Sequence, residues 1–87
     1  MLRVKVLGPG CANCARLKAL TAEALEALGV EATLEYVTDR AEFSKYRLMM
    51  TPGLVVNDKL VCAGRVPPKD EVMTLIANVL TAEVTVL

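Results

Sequence analysis

Cys11 and Cys14 are the residues of this chain best suited to chemistry, because they lie three positions apart in the segment GPGCANC (8–14). Two thiols at this spacing can carry out disulfide exchange, in which one attacks as a thiolate and the second resolves the mixed disulfide that forms. The same pair can instead hold a soft metal ion such as Cu(I) or Zn(II). The motif therefore indicates thiol–disulfide chemistry, with thiolate metal binding as the alternative.

The residues around this motif predict a strand before it and a helix after it. Apolar and charged residues alternate at 3–7, glycine and proline interrupt the strand, and apolar residues recur at helical spacing across 15–28. Cys11 then lies at a helix N-terminus, where unpaired N–H groups and the helix dipole favour a thiolate. We expect Cys11 to be the exposed attacking thiol, with a lowered pKa, and Cys14 to be the resolving thiol in the first helical turn.

Three residues next to the cysteines are interpreted as supporting the motif. Gly10 precedes the first cysteine, and Ala12 and Asn13 separate the pair. Asn13 is a residue that helix starts favour, which explains it without a bond to the thiolate. Lys5 and Lys18 are cations that could stabilise a thiolate, but most lysines lie on solvated faces, and we expect the same of these two.

The rest of the chain predicts the element order β-α-β-α-β-β-α. The first two strands must be parallel, and a later hairpin completes a mixed four-stranded sheet flanked by three helices. We expect one α/β domain over 1–80 and a C-terminal tail at 81–87 that frays, extends the last helix or pairs with a partner's sheet edge. The predicted later elements are a strand at 31–37, a short helix at 40–48, strands at 54–56 and 60–63, and a last helix with an apolar stripe at 72–80.

Three further sulfur-containing residues have plain structural interpretations. Met49 and Met50 are expected to fill the core at the end of the second helix, with a flexible rim around a substrate as the alternative. Cys62 is expected to be a small buried hydrophobe on the same strand face as Leu60, because free cysteine is commonly buried. The alternative for Cys62 is a regulatory or intermolecular thiol.

Composition excludes several classes of function. The 87 residues carry ten basic and ten acidic side chains, no His and few aromatic residues, which argues against a nucleic-acid partner. An odd number of cysteines, an alternating N-terminal segment and the absence of a long apolar run argue against a secreted or membrane-spanning protein. We expect a cytoplasmic location, where paired cysteines are more often catalytic or metal-binding than structural.

Three motifs stand out together in this chain: the GPGCANC segment, the pair Thr51–Pro52 and the run GRVP (64–67). With these motifs, the chain resembles the thioredoxin-like superfamily over residues 1–80, and within it the small redox-active disulfide proteins of prokaryotes. The resemblance implies a thioredoxin-like fold of glutaredoxin size, with a cis bond before Pro52. It also implies that Pro52 faces the cysteines and that the backbone of Thr51 pairs with an extended substrate segment.

The resemblance further implies a protein disulfide or dithiol as substrate, no cofactor and no bound metal. A thioredoxin reductase is a candidate recycling partner, and we expect a monomer or a weak homodimer. The chain departs from thioredoxin proper because no acidic residue stands in its first strand, which carries Arg3 and Lys5 instead. The alternatives to an oxidoreductase are a soft-metal thiolate-binding module and a non-catalytic thioredoxin-like interaction domain.

Overall fold

The computed structural model describes residues 2–84. It confirms the predicted element order and the thioredoxin-like arrangement of a mixed four-stranded sheet with three helices. The elements are β1 (Leu2–Leu7), α1 (Ala12–Leu28), β2 (Ala32–Val37), α2 (Arg40–Lys45), β3 (Gly53–Val56), β4 (Lys59–Ala63) and α3 (Lys69–Val84).

The sheet has the strand order β2-β1-β3-β4. β1 lies parallel to β2 and antiparallel to β3, and β3 and β4 form an antiparallel hairpin. The hairpin turn is made by Asn57 and Asp58, whose φ angles of 48° and 67° are both left-handed. Asn and Asp tolerate this conformation, which matches the right-handed twist of the flanking strands. The strand β1 therefore ends between the last residue of β2 and the first residue of β3. The cysteine motif follows directly after β1.

The two faces of the sheet bury cores of different size. α1 and α3 cover the larger core, to which β1 contributes Val4 and Val6. α2 covers the smaller core on the opposite face, and Leu7 and Phe43 are both part of it. β1 is thus buried on both faces at its C-terminal end, so the start of the cysteine loop is anchored by close packing.

α2 ends earlier than the predicted 40–48, because a left-handed residue closes it. Arg47 has a φ of 56°, its N–H donates to the carbonyl of Ser44, and the N–H of Leu48 donates to the carbonyl of Phe43. These two bonds form a Schellman motif, which satisfies the last carbonyl groups of the helix. Glycine usually occupies the left-handed position, so arginine there gave no stop signal in the sequence.

The expectation that Met49 and Met50 fill the core is wrong. Their side chains are 93% and 65% exposed. Leu48 instead packs against the smaller core, directly after the Schellman turn. The turn directs the chain so that one apolar residue reaches the core and the two methionines that follow lie in solvent.

Cys62 is buried, as predicted, but it does not share a face with Leu60. Cys62 lies in the larger core, whereas Leu60 packs against the smaller one. The cause is a bulge: Leu54 pairs with Cys62 and Val55 pairs with Leu60, so β4 carries one extra residue between these pairs. An extra residue reverses the alternation of side chains beyond it.

α3 continues through Val84, so positions 81–84 of the predicted tail extend the last helix. Positions 85–87 lie outside the described residues. Within residues 2–84 no helix combines the length and the apolar character needed to cross a membrane.

Candidate active site

The loop after β1 places the two cysteines at the beginning of α1. Gly10 has a φ of 100°, a conformation that residues with a Cβ rarely adopt. Cys11 is the N-cap residue with extended backbone, and its carbonyl accepts a hydrogen bond from the N–H of Ala15 at 3.1 Å. α1 begins at Ala12 rather than at the predicted position 15, so Cys14 lies inside its first turn.

The two thiols are close together but differ in their access to solvent. The Sγ atoms of Cys11 and Cys14 are 2.8 Å apart, and both cysteines are free. Cys11 is exposed, whereas Cys14 has no solvent-accessible surface. The disulfide of another molecule can reach an exposed thiol. A buried thiol beside it can then attack the mixed disulfide that forms. This is the arrangement that the sequence predicted for an attacking and a resolving cysteine.

The start of α1 lowers the pKa of Cys11 from the ordinary thiol value of 9.0. The largest cause is the hydrogen bond from the Cys14 thiol, followed by the backbone N–H of Cys14, and the N–H of Asn13 adds to it. Donors at a helix start stabilise the thiolate more than the neutral thiol. The predicted direction of the pKa shift is therefore confirmed.

The two lysines considered as partners of a thiolate each contact a tyrosine rather than Cys11. Lys5 Nζ lies 3.2 Å from the hydroxyl of Tyr46 and 5.7 Å from the centroid of its ring. Lys18 Nζ lies 5.7 Å from the centroid of the Tyr36 ring. Hydrogen-bond donors of the helix start, rather than a lysine contact, account for the lowered pKa of Cys11.

The alkylation of Cys11 should show this lowered pKa. In a Cys62→Ala background, we expect the rate with iodoacetamide to rise with pH with a midpoint below 9.0, since only the thiolate reacts. Cys14→Ala removes the largest cause and should move the midpoint back towards 9.0. A parent midpoint at 9.0 or above, or a midpoint that Cys14→Ala leaves in place, would contradict this account.

Gly8 is required by the position of Cys14, which sequence patterns did not reveal. A Cβ built on Gly8 would lie 2.2 Å from Cys14 Sγ and 3.1 Å from Cys14 Cβ. The main chain after β1 therefore passes directly over the buried thiol. In the sequence Gly8 appeared only as a strand breaker.

Gly8→Ala should displace the Cys14 side chain. We expect the free energy of unfolding to fall by about 1–3 kcal/mol through overpacking. We also expect slower formation of the Cys11–Cys14 disulfide, measured by oxidation of the reduced protein and mass spectrometry. Gly53→Ala is the control, because its Cβ would meet Cδ1 of Leu48 at 2.7 Å and not a thiol. Equal oxidation rates in Gly8→Ala and Gly53→Ala would show that contact with Cys14 is unimportant.

The Thr51–Pro52 segment lies at the same end of the sheet as the cysteine loop. The bond between these residues is cis, as the resemblance implied. Gly53 pairs with Leu7 in the antiparallel register, so Pro52 continues alongside the residue that follows β1. Pro52 is buried, its carbonyl accepts a hydrogen bond from Gly64 at 2.9 Å, and Thr51 is exposed. The backbone of Thr51 is thus held near the motif by a fixed neighbour.

Tyr36 is a site residue that the sequence analysis placed on a strand without assigning it a role. It lies at the C-terminal end of β2, paired with Val6 of β1. Its hydroxyl is buried and has no hydrogen-bond partner within the described part of the chain. The pKa of Tyr36 is raised, first by burial and then by the neighbouring Cys14 and Cys11. The parallel register was the signal that could have indicated this position.

The cysteine pair does not belong to a larger group of metal ligands in the described region. No cluster of three or more His, Cys, Asp or Glu side chains occurs among residues 2–84. Two thiolates supply half of a closed tetrahedral zinc site. A closed tetrahedral zinc site at this pair would therefore need ligands from another molecule.

Comparison with known proteins agrees with the fold. The family model described as a thioredoxin domain matches residues 2–77. A thioredoxin from Methanothermobacter thermautotrophicus is 32% identical over 77 residues, which are 88% of this chain and all of that protein. A thioredoxin from Methanocaldococcus jannaschii is 31% identical over 72 residues, which are 83% of each chain. The family match and the full-length relative together show that this chain belongs to the thioredoxin family.

Proposed function

We propose that this protein is a thiol–disulfide oxidoreductase that exchanges two electrons with protein partners through Cys11 and Cys14. The observation that carries the proposal is the 2.8 Å separation of an exposed Sγ and a buried Sγ at the first turn of α1. The lowered pKa of Cys11 supports its role as the attacking group, because the thiolate is the nucleophile in disulfide exchange.

The reaction proceeds in two exchanges. In the first, the Cys11 thiolate attacks one sulfur of the substrate disulfide, a mixed disulfide forms, and the other substrate sulfur leaves as a thiolate that takes up a proton. In the second, Cys14 loses its proton and attacks Cys11 Sγ, and the second substrate sulfur leaves. The substrate disulfide is reduced to a dithiol, while Cys11 and Cys14 are oxidised to a disulfide. The reverse sequence oxidises a dithiol.

A protein segment is the proposed substrate, and the loop before β3 is its proposed binding surface. Thr51 is an exposed residue whose backbone would offer hydrogen bonds to an extended chain, and the buried Pro52 would lie beside the bound segment. The exposed side chains of Met49 and Met50 add flexible apolar surface next to this segment. Such a rim suits several partners better than one, because methionine adapts its shape.

The remaining parts of the proposal follow from the same chemistry. The exchange needs no cofactor and no metal, and a thioredoxin reductase is the proposed source of electrons when the protein acts as a reductant. We place the protein in the cytoplasm, as a single domain over 1–80 that acts as a monomer or weak homodimer, without nucleic-acid or membrane partners. Gly10, Ala12 and Asn13 are proposed to hold the motif in shape rather than to react.

Reaction with 5,5′-dithiobis(2-nitrobenzoate) under metal chelation tests the proposal. In a Cys62→Ala background, the reduced protein should release two thionitrobenzoate ions, one in each exchange, and finish as an intramolecular disulfide. Mass spectrometry should then find the protein lighter by two hydrogens with no adduct. A product that retains thionitrobenzoate on both cysteines would show two independent thiols, as expected of a metal-binding module or a non-catalytic domain.

A further inference from the structure

Tyr36 lies near the C-terminal end of β2, and its buried hydroxyl points towards the cysteine loop. A Cβ built on Gly10 would lie 3.9 Å from the hydroxyl oxygen, so the tip of the ring reaches the residue before the motif. The hydroxyl oxygen is fully buried and has no hydrogen-bond partner among residues 2–84. An unpaired buried hydroxyl is costly in free energy, so its position requires a reason.

The thiols of Cys14 and Cys11 are ionisable groups that interact with this hydroxyl. Cys14 and Cys11 both raise the pKa of Tyr36, after burial, which is the largest cause. A raised pKa means that the phenol keeps its proton at neutral pH and beside a thiolate. Tyr36 is therefore a poor proton acceptor for Cys14, but it can donate a hydrogen bond to it.

Cys14 needs such a donor at one stage of the reaction. In the reduced protein the Cys14 thiol stabilises the Cys11 thiolate, so it serves as a donor itself. Once Cys11 is held in a mixed disulfide, Cys14 must become a thiolate although it has no exposed surface. Burial disfavours a charged sulfur unless a hydrogen bond or an opposite charge compensates.

We propose that the Tyr36 hydroxyl donates a hydrogen bond to the Cys14 thiolate while this thiolate attacks the mixed disulfide on Cys11. The inference rests on the proposed function, since it concerns the second exchange. The phenol keeps its proton throughout, the proton of Cys14 passes to solvent, and the reduced substrate leaves as before.

Other charged groups around this position do not replace the phenol. Lys18 Nζ lies over the Tyr36 ring, 5.7 Å from its centroid, where it stabilises the ring face. Lys5 on β1 donates to Tyr46.

Loss of this hydrogen bond has a characteristic effect on the rate of the second exchange. A bond to a charged sulfur changes its acidity by about one pKa unit or more. For one unit, the thiolate fraction below the midpoint falls about tenfold, while the nucleophilicity of each thiolate rises about threefold. The second exchange in Tyr36→Phe should thus be about threefold slower at low pH and about threefold faster on the high-pH plateau.

The experiment follows the two releases of thionitrobenzoate by stopped flow across pH, with Cys62→Ala as the parent. We expect the first release to be unchanged in Tyr36→Phe, and the rate profile of the second release to cross that of the parent. Tyr46→Phe is the matched control, because it removes a hydroxyl that bonds Lys5 and should leave both profiles unchanged. Thermal unfolding checks that each variant is folded. If Tyr36→Phe is not folded, the same rates are measured in Tyr36→Leu.

The outcomes separate this inference from the proposed function. If the parent forms no intramolecular disulfide, the proposed function fails and the inference fails with it. If the parent releases both ions and the profiles of parent and Tyr36→Phe coincide, the role of Tyr36 alone is overturned. A second release that is slower by the same factor at every pH also overturns it, because a structural defect would not move the midpoint.

Discussion

Replacing Cys11 by serine should abolish the reduction of protein disulfides, with a loss of at least about a thousandfold in turnover of insulin disulfides. A hydroxyl is scarcely ionised at neutral pH, whereas a thiol at the start of α1 is stabilised as a thiolate. Cys11 is exposed and serine is close to it in size, so the substitution should leave the thermal unfolding midpoint nearly unchanged. Activity and unfolding are therefore expected to separate in this variant.

Cys62→Ala is the matched control for this prediction. Cys62 lies in the larger core and has 9% of its surface exposed, so its loss should lower stability modestly and leave turnover intact. The opposite pattern, with full activity in Cys11→Ser and none in Cys62→Ala, would assign the attacking thiol to β4. It would contradict the site described above.

Replacing Cys14 by serine should stop the reaction after the first exchange. Cys11 can still attack, but no second thiol lies within reach to release the substrate, so the mixed disulfide accumulates. We expect one thionitrobenzoate ion per protein instead of two, and a mass increase equal to one retained adduct. With a protein substrate, the same variant should form a covalent complex that a reductant dissolves.

The mixed disulfide of Cys14→Ser must be measured without added thiols. An added thiol would attack the mixed disulfide in place of Cys14 and release the substrate. The control is again Cys62→Ala, which should pass through both exchanges without accumulating an adduct. Release of a second thionitrobenzoate ion by Cys14→Ser in the absence of added thiol, with loss of the adduct, would contradict the assignment of Cys14 as the resolving residue. It would favour Cys62, the remaining thiol, as the group that resolves the mixed disulfide.

The fold was predictable because several signals agree in each element. Alternation in β1, helical spacing in α1 and the Asn57–Asp58 turn each combine local preference with the burial that the sheet requires. The exposure of Cys11 and the burial of Cys14 followed from the same logic. A thiol at the N-cap is exposed, and a thiol three residues later faces inwards.

The errors arose where one residue reverses a pattern without a sequence signal. Arg47 closes α2 in a conformation usually taken by glycine, and this left Met49 and Met50 in solvent. The bulge between the pairs of Cys62 and Leu60 moved these residues to opposite faces. Both features depend on contacts made after the strands pair, which periodicity cannot show.

Two site residues depended on distances that only the folded chain reveals. Gly8 is needed because the strand end passes over Cys14 Sγ, and the sequence shows only a glycine after a strand. Tyr36 fits the alternation of β2, and its hydroxyl becomes notable only because the parallel register carries it to the cysteine loop. Polar atoms at the ends of buried strands therefore merit attention as candidate site residues.

The reduction potential of the Cys11–Cys14 pair is the measurement that tests the central claim most directly. The protein is equilibrated in thiol buffers of defined potential with a metal chelator, and the disulfide fraction is counted by mass spectrometry. We predict one reversible two-electron transition. A value near about −270 mV would identify a reductant, and one above about −200 mV an oxidant or isomerase. Failure to form the intramolecular disulfide at any potential would contradict the redox function and favour thiolate metal binding.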